Sequence, residues 1–178
     1  NYSDLLARLK ASVRELLEDY DAQALWFDGS GGAVSSWFDD GHGAELYEFA
    51  RSIKPTVLVN RRYHRGGTSS GTNPPRGLNH PWSQIDFHTP EQSLGPLDPR
   101  LEDFETCMTI GEKFGYRPDD TNYKSAKTIV EYLVDCTAKG GNLLLNICPD
   151  GDGNVPEGQR AVLEEVGAWM DVNSESIY

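Results

Sequence analysis

The chain has 178 residues, 38% of them hydrophobic and 25% charged, with 18 Gly, 10 Pro and a formal charge of -12 from 16 Lys+Arg against 28 Asp+Glu. That length supports one sizeable core rather than two full domains. No apolar run reaches the ~20 residues of a membrane span, and an acidic chain offers no basic footprint for nucleic acid. Residues 3–20 predict an amphipathic helix, with Ser3 as its N-cap and Leu5, Leu6, Leu9, Val13, Leu16 and Leu17 on one face. Ala24-Leu25-Trp26-Phe27 is a short apolar run closed by Asp28-Gly29, the pattern of a buried strand running into a loop. A Gly- and Ser-rich loop follows over 29–43, then a short helix from about Glu45 that Pro55 terminates.

The pattern then repeats. Thr56-Val57-Leu58-Val59-Asn60 predicts a second buried strand ending in Arg61-Arg62, and residues 63–83 read as a long surface loop. A weak third strand is expected over 84–87 and a fourth over 105–110. Residues 125–138 predict a helix carrying Ile129, Val130, Leu133 and Val134, stopped by Gly140-Gly141. Asn142-Leu143-Leu144-Leu145-Asn146-Ile147 is the fifth strand, and Pro156 opens a last helix with Val162, Leu163, Val166 and Trp169 inward.

Buried strands alternating with helices imply a parallel α/β architecture. Asp28, Arg62, Glu91 and Asn146 all stand at or just past predicted strand ends, the rim where a (β/α) barrel builds its chemistry. A complete barrel needs eight strands and ~250 residues, and only five strands are legible. Two expectations follow, a smaller sheet or the later part of a barrel, and the helix that opens the chain favours the second. The sequence opens at Asn1 with neither a Met nor a charged-then-apolar stretch, so any signal peptide is expected to have been removed or to lie upstream. Cys107, Cys136 and Cys148 form no CxxC pair and lie in apolar segments, as buried small hydrophobes do.

Several chemistries fail on residue type. Gly29-Ser30-Gly31-Gly32 lacks the third glycine of a dinucleotide loop and the Lys-Ser/Thr of a phosphate loop. Asp150-Gly151-Asp152-Gly153-Asn154 opens like a calcium loop but continues with Val155 and Ala161 where Gly and Glu are required, so it reads as a turn. His42, His64, His80 and His88 lack ligand spacing, and no GxSxG elbow occurs. What remains is carboxylates among aromatics. Trp26 and Asp28 share a strand face by alternation. An indole packs on the C–H face of a sugar while a carboxylate meets its electrophilic carbon, and glycoside hydrolysis needs a second carboxyl group across the bond. For Asp28 the plain alternative is a helix cap or turn residue, and for Glu91 an exposed loop glutamate.

Seven stretches in order carry a resemblance: Leu25-Trp26-Phe27-Asp28-Gly29, Val59-Asn60-Arg61-Arg62, Asp86-Phe87-His88-Thr89-Pro90-Glu91-Gln92, Phe104-Glu105-Thr106-Cys107-Met108-Thr109, Phe114-Gly115-Tyr116, Gly140-Gly141 through Cys148-Pro149, and Glu175-Ser176-Ile177-Tyr178. Together they resemble glycoside hydrolase family 29, the retaining α-L-fucosidases, over essentially the whole chain. The resemblance implies a (β/α)8-type barrel of which residues 1–178, a single segment, supply roughly the second half, about strands 4–8. It implies Asp28 as the nucleophile and Glu91 as the acid/base, with Glu105 in reserve. Arg62 would bind a sugar hydroxyl or ring oxygen, Trp26 would line the pocket and Phe114 would pack on the fucose C6 methyl.

The implied substrate is a fucosylated oligosaccharide or glycoconjugate, cleaved without metal or cofactor, and such glycans favour a periplasmic or extracellular location. Neither nucleic acid nor membrane insertion is expected. Trp37 and Trp82 stand where an aglycone could lie. The family's paired histidines and further glutamate on earlier strands have no counterpart in this chain, which implies that the segment alone is inactive. Two other readings share the pocket residues: a fucose-binding protein without catalysis, which has no need of two acids, and a retaining glycosidase for a related sugar.

Overall fold

The computed structural model describes residues 2–28, 40–60, 62, 86–94 and 103–178. Trp37, His64, His80, Trp82, the Gly29-Ser30-Gly31-Gly32 loop and the start of the expected third strand lie outside the described residues. The chain divides into two units, Asn1–Thr89 and Pro90–Tyr178.

In the first unit, helix α1 (Tyr2–Glu18) already includes Ser3, so this serine is in the first turn and not the cap. Its buried line is Leu6, Val13 and Leu17, narrower than the expected stripe. Leu16 is turned about 100° from Leu17; it is 43% exposed and borders an apolar groove of about 280 Å³ with Leu9, Ser12, Ala22 and Ala24. The chain leaves α1 through Asp21 at φ 51, and Lys54 grips that turn by bonding the Asp21 carboxylate and the Ala22 carbonyl. Helix α2 (Asp40–Ile53) begins earlier than its composition suggests. Glycines weaken helix propensity, but Gly43 is buried and tertiary packing prevails. Against α1, Lys10 pairs with Glu45 at 2.6 Å, and Lys10 and Arg14 each lie 5.2 Å from the Phe49 ring.

Strands β1 (Ala24–Leu25) and β2 (Leu58–Val59) pair in parallel, Ala24 with Leu58 and Leu25 with Val59. Asn60 then bridges Phe87, also in parallel, which extends the order to a third segment. Leu25, Leu46, Ala50, Val57 and Val59 form the core beneath them. The strands are shorter than predicted because a side chain takes over the ladder. Asn60, fully buried, accepts from the Phe27 N–H at 3.0 Å and donates Nδ2 to the Phe27 carbonyl at 2.9 Å.

In the second unit, Glu91 bridges Cys107 of β3 (Glu105–Thr109), and β3 pairs in parallel with β4 (Asn142–Asn146) from Glu105–Asn142 to Thr109–Asn146. Strand β3 is buried on both faces, as predicted. Strand β4 is not: Leu144 is 39% exposed, and among the described residues β4 has β3 as its one strand neighbour. Helix α3 (Ala126–Ala138) is capped by Ser125, whose Oγ accepts the Thr128 N–H at 3.2 Å. It ends as the glycine pair predicts. Gly140 sits at φ 79, Gly140 N–H donates to the Thr137 carbonyl and Gly141 N–H to that of Cys136, so the last orphan carbonyls are satisfied. Helix α4 (Glu157–Asn173) follows, then a 3-10 turn (Ser174–Ser176). Its most buried residue is Gln159, whose Oε1 accepts the Cys148 N–H at 2.9 Å, while Val162, Leu163, Val166 and Trp169 are only half-buried.

All three cysteines are buried thiols, and burial pushes the Cys136 thiol up. Among the described residues no His/Cys/Asp/Glu cluster is arranged to hold a metal ion, and no helix is long and apolar enough to cross a membrane. The 150–154 segment is a turn closed on Asp150, which accepts from the Asn154 N–H at 2.8 Å and the Asp152 N–H at 2.9 Å. Bonds from the Asn154 backbone and side chain hold this carboxyl below its ordinary 3.8. A lowered folded-state pKa contributes stability that is complete above the unfolded value and lost as pH falls through the folded one. The difference in urea midpoint between wild type and Asp150→Ala is therefore expected to shrink as pH drops from 5 toward 3; a constant difference would contradict it.

Candidate active site

The local structure at the end of β1 follows from the Asn60 side chain. By occupying the ladder beside Phe27 it leaves Trp26 and Asp28 to project where the strand ends. Arg62, two residues past Asn60 and buried, reaches across both. Its Nη1 donates to Asp28 Oδ1 at 3.0 Å, and its guanidinium carbon lies 4.6 Å from the Trp26 ring centroid. One arginine touching both residues bears out their expected common face. The Asp28 side chain remains 68% exposed, open to a ligand, whereas that of Arg62 is 8% exposed. Asp28 is no cap of α2, which starts at Asp40.

Arg62 is itself held. Nε donates to Thr89 Oγ1 at 2.9 Å and Nη2 to the Thr89 carbonyl at 3.3 Å, and Thr89 is buried. A guanidinium fixed by a fork of donors is a rigid, permanently charged platform. Three of its N–H groups are thus committed to protein atoms, one of them to the Asp28 carboxylate. Behind it, Asp86 accepts the Val59 N–H at 2.8 Å and pairs with Arg51, tying the chain that leads to Thr89 onto β2. The Trp26 Nε1 is buried without a hydrogen-bond partner among the described residues. The apolar groove is bordered by Trp26 and Phe27 as well, but neither Asp28 nor Arg62 lines it.

Glu91, Glu105 and Phe114 belong to the second unit, on or beside β3. Glu91 stands in register with Cys107, half-buried, with Cys107 N–H donating to the Pro90 carbonyl and Gln92 N–H to that of Cys107. Glu105 opens β3 opposite Asn142, at the amino end. Phe114 lies beyond the carboxyl end of β3. It is 42% exposed, not a core aromatic, and its carbonyl accepts from Asn146 Nδ2 at 3.0 Å.

Sequence reasoning assigned no role to Asn60 or Thr89. A polar residue directly after a hydrophobic strand, level with the residue before the candidate acid, was the available signal for Asn60. Nothing local marks Thr89, whose part depends on a contact with a residue far along the chain.

Parallel β–α segments that collect an acid, a guanidinium and an indole where a strand ends have the layout of α/β proteins whose ligands meet the carboxyl ends of parallel strands. The family profile described as Alpha-L-fucosidase matches residues 4–175. The chain belongs to this family, glycoside hydrolase family 29, whose catalytic domain is a (β/α)8 barrel, and it is a partial segment of such enzymes. It is 29% identical over 172 residues to the α-L-fucosidase of Dictyostelium discoideum, covering 96% of this chain and 34% of that protein. It is 33% identical over 168 residues to the plasma α-L-fucosidase of Pongo abelii, covering 92% and 33%. Among solved structures, α-L-fucosidase isoenzyme 1 from Paenibacillus thiaminolyticus superposes with a TM-score of 0.82 at 32% identity, covering 100% of this chain and 41% of that one. The Thermotoga maritima α-fucosidase, solved with a mechanism-based inhibitor, gives 0.70 at 29% identity, covering 98% and 35%. The chain thus spans about a third of the length of the curated relatives it matches.

Proposed function

We propose that residues 1–178 form the later portion, about strands 4–8, of a single barrel in a retaining α-L-fucosidase that hydrolyses terminal α-linked L-fucose from oligosaccharides or glycoconjugates. The observation that carries this reading is the contact of Arg62 with both Asp28 and Trp26 where β1 ends. Strand leucines such as Leu58 and Leu144, 49% and 39% exposed, are the surfaces that further barrel strands and their side chains would cover.

In this mechanism the Asp28 carboxylate attacks the anomeric carbon. A C–O bond to the enzyme forms as the bond to the leaving oxygen breaks, and Glu91 gives its proton to that oxygen. Glu91 then takes a proton from water, which displaces Asp28 and releases fucose with its configuration retained. Arg62 keeps the carboxylate aimed, Trp26 supplies an apolar wall, and Phe114 meets the C6 methyl. Glu91 is preferred to Glu105 because Glu105 stands at the amino end of β3, four residues or ~13 Å of strand rise from its carboxyl end.

Glu91→Ala in the full-length enzyme tests the assignment. Turnover of phenyl fucoside is expected to fall about a hundredfold or more, and with a dinitrophenyl fucoside, whose leaving group needs no proton, azide should restore turnover, with α-L-fucosyl azide as product. Azide intercepts the covalent intermediate where water needs a base, so the two inversions give net retention. No rescue, or a product of β configuration, counts against Glu91.

A further inference from the structure

Resting on the reading of Glu91 as acid/base, we propose that Gln92 is a positioning residue, which uses its side-chain amide to fix the backbone that presents Glu91. Among the described residues only Asp21 and Gln92 are non-glycine residues with positive φ, both at 51°. Asp21 follows the end of α1, where such a conformation is ordinary, and Asp tolerates it. Gln92 follows no helix, and glutamine is not a residue that adopts this region readily. An unfavourable backbone persists where its surroundings over-determine it, and such residues cluster at functional sites.

The surroundings here are specific. Cys107 clasps Glu91 on both sides, its N–H donating to the Pro90 carbonyl at 2.8 Å and its carbonyl accepting from Gln92 N–H at 2.9 Å. The chain then turns at Gln92, and the side-chain Nε2 donates to Thr109 Oγ1 at 3.0 Å. Thr109 is 1% exposed at the carboxyl end of β3. Its hydroxyl proton is committed to the Gly111 carbonyl at 2.7 Å, which leaves its lone pairs for Gln92 and for Lys124 Nζ at 3.4 Å. The Gln92 side-chain carbonyl oxygen in turn accepts from the Thr109 N–H at 3.5 Å, so the amide meets Thr109 through both its ends. Without that anchor, residue 92 relaxes toward negative φ, rotating the peptide that joins it to Glu91 and moving the carboxyl group off the leaving oxygen.

A misplaced general acid is felt most by substrates whose leaving group needs protonation. In the full-length enzyme, Gln92→Leu is expected to lower kcat/KM for phenyl fucoside at least tenfold and that for a dinitrophenyl fucoside less than threefold. Because Gln92 is exposed, this variant should fold. Thr109→Val, which removes the hydroxyl and keeps the shape, should show the same leaving-group dependence. The double variant Gln92→Leu/Thr109→Val should lose no more than either alone. Equal losses on both substrates, or none for Gln92→Leu, would overturn the proposal. Azide rescue of Glu91→Ala, measured in parallel, separates the two failures. If rescue occurs and the leaving-group dependence does not, Gln92 alone is wrongly assigned; if rescue itself fails, the acid/base reading and this inference fall together.

Discussion

Asp28→Ala in the full-length enzyme is expected to cut kcat for an aryl fucoside about ten-thousand-fold or more, with the thermal midpoint little changed. On the proposed mechanism the catalytic loss is large because the covalent bond forms to the Asp28 carboxylate. The fold should be indifferent because the Asp28 side chain is 68% exposed and Arg62 retains both its bonds to Thr89. Added azide gives the sharper readout. With the nucleophile gone, azide attacks the α-fucoside directly from the vacated side, the aryl oxygen leaves with the bonding electrons, and the product is β-L-fucosyl azide. Opposite product configurations from Asp28→Ala and Glu91→Ala would assign both acids in one pair of experiments. Turnover of Asp28→Ala near the wild-type rate would remove the nucleophile assignment, whatever the fate of Glu91.

The largest expected effect on stability comes from a glycine that carries no backbone strain. Gly141 follows the turn that ends α3, and a Cβ built on it would lie under 3.0 Å from three ring carbons of Phe104. Phe104 is 1% exposed, so its ring has no empty space to enter. The backbone cannot yield either: Gly141 N–H is bonded to the Cys136 carbonyl, and the next N–H, that of Asn142, to the Phe104 carbonyl at 2.8 Å. Gly141→Ala is expected to destabilise the protein by about 3 kcal/mol, the upper range for overpacking a filled core, seen as a lower urea midpoint with unchanged slope. Adding Phe104→Leu should recover part of the loss, since the shorter side chain vacates the space the methyl needs. A Gly141→Ala midpoint equal to wild type would show that the corner repacks freely. The neighbouring Gly140 differs in kind. Nothing lies near its missing Cβ, and its φ of 79° is the constraint.

Much of this fold is legible along the chain because its signals are local. Ser125 ahead of Ala126, and Gly140-Gly141 behind Ala138, mark both ends of α3 through capping chemistry that involves only nearby residues. The parallel pairing of β1 with β2 and of β3 with β4 follows from apolar runs separated by helices. The early start of α2 was hidden, because Gly43 is helical through its burial and not through its propensity. The half-exposure of β4 was hidden too, since Leu143, Leu144 and Leu145 read alike whether or not a neighbour covers them. At the site, Trp26 and Asp28 were placed on one side by strand alternation alone. The bonds that hold Arg62 to Thr89, and the amide of Gln92 to Thr109, join residues 27 and 17 positions apart.

By itself, then, the order of residues determined the helices, the parallel strands and the family, because each is written in periodicity or in a contiguous motif. Only the tertiary structure decided that Asn60 replaces a ladder rung, that Arg62 is clamped between Asp28 and Thr89, and that Gln92 is held at positive φ. Those facts depend on hydrogen bonds with defined donors, acceptors and distances, and such bonds exist only once distant segments have been brought within about 3 Å of each other.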